Sequence, residues 1–96
     1  MNFEEFKASI PGANPPQGAN ALLQAMWFEA KGNWEMAHNI AQDVNSDDGS
    51  WVHAYLHRKE GDIDNASYWY SRAGKSKPQV SLDEEWEVMV KEFLKD

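Results

Sequence analysis

Ninety-six residues, 42% of them hydrophobic, with sixteen acidic and nine basic side chains and a net charge of −7, suffice for one globular domain and not for two independent cores. Basic residues this sparse cannot form the Lys/Arg cluster that a phosphate backbone requires, so neither nucleic acid nor an anionic membrane surface is an expected partner. The absence of cysteine rules out disulfides, thiolate metal sites and thiol nucleophiles.

The chain opens Met1-Asn2-Phe3-Glu4-Glu5-Phe6, acidic where a secretory signal is basic and then apolar. No apolar run approaches the ~20 residues of a membrane span, and a cytoplasmic location is expected. Residues 2–9 have the pattern of a short amphipathic helix, with Phe3 and Phe6 on one side and Ile10 just beyond. The stretch Pro11-Gly12-Ala13-Asn14-Pro15-Pro16-Gln17-Gly18 then forbids regular structure. Residues 1–18 are thus expected to be a helix followed by a strap that lies over the body.

Gly32, Gly49, Gly61 and Gly74 divide the rest, each closing a stretch of helical length. Residues 19–47 are predicted to be one helical hairpin, 48–78 a second, and 79–96 a capping helix. Within 34–44, Trp34, Ala37, Ile40, Ala41 and Val44 recur at i, i+3, i+6, i+7 and i+10; within 63–73, Ile63, Ala66, Trp69, Tyr70 and Ala73 repeat that spacing. Glu35, Asp43, Asp47 and Asp48 read as a solvated helix face and loop. Ser81 and Glu84 form a capping-box pair ahead of Leu82, Trp86, Met89, Val90 and Phe93. The opposite side of that last helix, with Glu85, Glu87, Lys91, Glu92 and Lys95, is charged and is expected to face water. The fold class predicted is all-α.

A shift of 29 residues superposes Ala25 on Ala54, Gly32 on Gly61, Ala37 on Ala66 and Val44 on Ala73. One hairpin cannot bury its apolar side alone, whereas two stacked hairpins share a core. Gly61-Asp62-Ile63, Ala66, Tyr70, Ala73 and Pro78, with Ala54 in the preceding helix, resemble a tetratricopeptide repeat. The likeness covers 48–78 well and 20–49 more loosely, where Ala41 replaces the aromatic residue. The period is 29 residues instead of that family's 34, with two units only and with His53 and His57 at positions usually apolar. The string Trp51-Val52-His53-Ala54-Tyr55-Leu56-His57-Arg58, followed by Glu60-Gly61-Asp62, Asn65-Ala66 and Tyr68-Trp69-Tyr70, is also similar to a family of small helical proteins to which no activity attaches.

The tetratricopeptide resemblance implies a non-catalytic protein- or peptide-binding domain that uses the inner side of the first helix of each hairpin. Trp51, Tyr55, Arg58 and Lys59 would form that side, with Tyr68 and Arg72 at a further edge; Trp, Tyr and Arg are enriched at interface hot spots. The bland reading packs Trp51 and Tyr55 against the last helix or the strap, and leaves Tyr68 an exposed ring shielded by the Arg72 stem. The alternative function is a His-based metal- or small-molecule-binding protein. His53 and His57 stand at i, i+4 on one helix side, and His38 of the preceding hairpin can add a third nitrogen. Glu60 is placed to pair with His57; the bland reading makes His53 and His57 structural, half-buried against the partner helix near Ala66 and Tyr70. No HExxH, phosphate-cradling loop or nucleophile elbow is present, so no enzyme activity and no cofactor are expected. A monomer is expected if the strap folds back; otherwise Leu22, Met26 and Trp27 are left open for a symmetric dimer.

Overall fold

Each helix of the protein begins at an Asn, Asp or Ser whose side chain accepts the backbone N–H three residues on: Asn2, Asn20, Asn33, Ser46, Asp62 and Ser81. Such a contact satisfies one of the orphan donors of a first turn. The computed structural model describes residues 1–95. These form α1 (Phe3–Ala8), α2 (Ala21–Ala30), α3 (Trp34–Gln42), α4 (Asp47–Glu60), α5 (Ile63–Arg72) and α6 (Leu82–Leu94), with no strand among the described residues. Asn2 and Glu5 cap α1 reciprocally, and Glu84 donates its N–H to Ser81 Oγ at the start of α6.

The 29-residue offset has a structural cause in the two tight inter-helix turns. Gly61, at φ 91°, takes the left-handed conformation that ends α4, and the next N–H, of Asp62, reaches back to the His57 carbonyl. Asp62 then caps α5 with its side chain. Gly32 and Asn33 do the same between α2 and α3. One Gly-Asn or Gly-Asp pair thus stops a helix and starts the next. The connections are too short for anything but neighbouring packing, and α2 lies on α3 and α4 on α5. Ala25, Ala37, Ala54 and Ala66, the small residues that the offset aligns, are all buried.

Gly49 departs from the sequence reading. It lies inside the first turn of α4 instead of closing a helix. A Cβ there would stand 2.0 Å from the Val44 carbonyl oxygen, so the glycine is required by the close approach of the α3–α4 connection.

Helix α6 packs on α2, α4 and α1. Its Trp86 indole donates to the Met26 carbonyl at 3.2 Å, and Phe93 meets Trp51 edge-on with centroids 5.7 Å apart. Glu85, expected on the charged outer side, is instead 3% exposed. It continues the inner stripe of Leu82, Met89 and Phe93, and its carboxylate accepts from Trp51 Nε1, Arg58 Nη1 and the Tyr70 hydroxyl at 3.1, 2.7 and 2.7 Å. A carboxylate can be buried when donors of this kind surround it. Burial, and then the hydrogen bond to Glu85, push the Tyr70 hydroxyl far above its ordinary pKa, so it remains a donor.

The N-terminal segment packs on α6 and is tied to α2. Phe6 is fully buried, and Phe3 and Phe6 pack on Trp86 with centroids 5.9 and 6.0 Å away. Trp27 Nε1 donates to Ser9 Oγ, and Lys31 Nζ donates to the carbonyls of Ile10 and Gly12 at 2.8 and 2.7 Å. Met26 and Trp27 are accordingly buried and Leu22 is half-buried. No described helix is long and apolar enough to cross a membrane.

Candidate metal centre

The open groove expected along Trp51, Tyr55 and Arg58 does not exist in this fold. Trp51 and Tyr55 are 6% and 2% exposed. Arg58 is held by Glu85 and by the Val80 carbonyl, and Lys59 is paired with the buried Glu29. The reason is α6, which brings Glu85 to the very donors that a peptide would have engaged. What remains of this face is a notch of about 120 Å³ beside Val80 and Val88, where Lys75 Nζ stands 4.0 Å over the Trp51 ring, and a cleft of about 220 Å³ lined by Tyr55, Lys59, Asp83 and Trp86. Tyr68 and Arg72 do stay at the surface, where Arg72 Nη1 donates to the Tyr68 hydroxyl at 3.2 Å and shields the ring.

The three histidines converge. His38 is one turn after Trp34 on α3, and His53 and His57 are one turn apart on α4. Packing of α3 against α4 brings His38 Nε2 to 2.9 Å from His53 Nε2. The ring centroids lie 4.5 Å apart for His38–His53, 4.8 Å for His53–His57 and 5.4 Å for His38–His57. One ring nitrogen from each residue falls within 4.8 Å of the other two. His53 and His57 are buried and His38 half-buried. They face Trp34, Trp69 and one another; Tyr70, the expected neighbour of this pair, turns to Glu85 instead.

Two indoles wall the cluster. Trp34 stacks on His38 at 4.9 Å with its rings tilted by 17°, and its Nε1–H is fixed to the Leu56 carbonyl at 2.8 Å. Trp69 stacks on His53 at 4.0 Å and 16°. Both read as core residues in the sequence, and their flanking role shows only as spacing: Trp34 and His38 are i, i+4 on one helix face. His57 Nδ1 lies 2.7 Å from Glu60 Oε1, the pairing its i, i+3 spacing predicts. A second group, of His57, Glu60 and Asp62, is built on exposed carboxylates.

Electrostatics keep His38 and His53 uncharged. Burial, followed by repulsion from His38 and His57, lowers the His53 pKa from 6.5 to about 4. His38 is lowered by burial and by His57, with Glu60 opposing. Near neutral pH both rings are therefore neutral, each with one N–H and one lone pair, and one of the facing Nε2 atoms donates to the other. A metal needs only their lone pairs, and in these two rings a change of tautomer supplies them. With His57 Nδ1–H directed at Glu60, the other ring nitrogen of His57 is left as the ligand atom, an arrangement common behind metal-bound histidine. Nitrogens ~2.0–2.1 Å from a tetrahedral ion stand about 3.4 Å apart, so 2.9 Å asks for an opening of a few tenths of an ångström.

No family model matches the chain, and no curated protein or solved structure is significantly similar to it.

Proposed function

We propose that the chain is a tetratricopeptide-like pair of helical hairpins that binds a divalent transition metal through His38, His53 and His57. The observation that carries this reading is the convergence of three imidazole nitrogens, contributed by two different helices, within 4.8 Å. Neutral imidazoles suit zinc, cobalt, nickel and copper(II) and are poor ligands for magnesium or calcium. The hairpin arrangement is supported by the 29-residue offset and by the matching Gly-Asn and Gly-Asp turns. Because α3 and α4 belong to different hairpins, the ion would tie the two units together.

The test is zinc loading of the untagged full chain, gel filtration, and elemental analysis of the protein peak. Stoichiometric zinc is expected in the wild type, with strong loss in His38→Gln and in His53→Gln and no retention of magnesium. Wild type that emerges without zinc, while circular dichroism shows it folded, overturns the assignment.

A further inference from the structure

The donor set has three members among the described residues, and this number bears on what the centre does. Glu60 is engaged by His57 and groups with His57 and Asp62, not with His38 or His53. Indole nitrogen offers no lone pair, and that of Trp34 already donates to Leu56. Zinc-class ions take at least four ligands, and sites with three protein ligands keep the fourth position for water or an incoming molecule.

The surroundings indicate what such a molecule would be. A cleft of about 130 Å³ lies where the end of α3, the start of α4 and the end of α5 meet, and His53 and Trp69 form part of its wall. That is room for several water molecules. Gln42, Asn45 and Ser50 contribute neutral polar groups, Arg72 is the charged residue of the lining, and no carboxylate belongs to it. The Arg72 guanidinium is held 5.2 Å from the Trp69 ring centroid, which fixes it at this margin.

We propose that the metal held by His38, His53 and His57 keeps one coordination position open to this cleft and takes a small anion there, with Arg72 as its counter-charge. The inference rests on the metal-binding reading above. Binding is a ligand exchange: a metal–water bond breaks, a metal–anion bond forms, water leaves, and no electron is transferred. Azide, thiocyanate and acetate are probes of the right charge and size.

The experiment uses the full chain loaded with cobalt(II), whose visible spectrum reports the number and type of its ligands. Sodium azide, thiocyanate and acetate are each titrated at constant ionic strength. Saturable spectral change with at least one anion is expected. Arg72→Gln should weaken that anion by about twofold to fivefold without altering cobalt affinity, the range of an exposed ion pair, and Arg72→Lys should retain most of the binding. A cobalt spectrum that no anion perturbs overturns the open position and leaves the metal centre standing. Unchanged anion affinity in Arg72→Gln overturns the assigned counter-charge, and so the proposal as stated. Failure to bind cobalt at all removes both readings.

Discussion

At the scale of single residues, His53 carries the sharpest consequence. It faces His38 from α3, His57 from its own helix and Trp69 from α5, and Glu60 is engaged by His57. Its folded pKa of about 4 lies below the unfolded value of about 6.5. As pH falls, the unfolded chain takes up its proton first, so the stability that neutral His53 contributes is complete above pH ~6.5 and is lost toward the folded pKa. For the metal-free chain, kept so with chelator, acidification from about pH 7.5 to 5 should cost on the order of 2 kcal/mol, read from urea melts. The His53→Gln chain should show a distinctly smaller loss. A wild type that gains stability on acidification would mean that His53 is held as a cation. The pairing of His53 with His57 was legible from i, i+4 spacing. The approach of His38 was legible only as an option, because no local rule says which side of α3 meets α4.

At the scale of elements, most of the turns and apolar stripes that the sequence displays lie where the helices end and face inward; Ile63, the first member of the α5 stripe, is exposed instead. These features are local, and the physics that sets them acts over one or two turns. Gly49 shows where local logic stops. A glycine after Asp47 and Asp48 resembles a helix terminator, yet α4 runs through it because Val44 passes against its bare Cα. Propensity alone gives a stabilisation of about 1 kcal/mol for Gly49→Ala in a helix. The contact of 2.0 Å with a backbone oxygen reverses that sign, because a carbonyl cannot turn away as a side chain can. Chemical denaturation of Gly49→Ala should therefore show a loss on the order of 2 kcal/mol. A neutral or stabilised variant would mean that the α3–α4 connection shifts freely. Glu85 is the complementary case. The sequence reading placed it on the charged outer side of α6, because a carboxylate in the inner stripe is acceptable only once Trp51, Arg58 and Tyr70 are known to meet it. The same tertiary fact closed the expected peptide groove.

At the scale of the whole molecule, two hairpins side by side leave an apolar face along their first helices, α2 and α4, and this chain covers it. Helix α6 lies on both, through Glu85, Met89, Val90 and Phe93. The N-terminal segment packs on α6 in turn, with Phe6 fully buried and Lys31 of α2 binding two strap carbonyls. Burying a phenylalanine side chain contributes about 1.5–3 kcal/mol, and the whole stability of a small domain is only about 5–15 kcal/mol. Loss of Phe3 and Phe6 together should therefore lower the melting temperature markedly. It should also uncover Met26, Trp27 and Trp86, an apolar surface of the kind that self-associates. Light scattering should find the full chain monomeric and the chain lacking residues 1–17 concentration-dependently associated. Lys31→Met, which removes the two strap hydrogen bonds and leaves the phenylalanines in place, should shift the equilibrium only slightly. Because α6 is untouched in both variants, association confined to the truncated chain would locate the sticky surface under the strap. A dimeric full-length chain would instead show that the strap leaves an apolar face open, and that the second copy, not the chain's own N-terminal helix, completes the core.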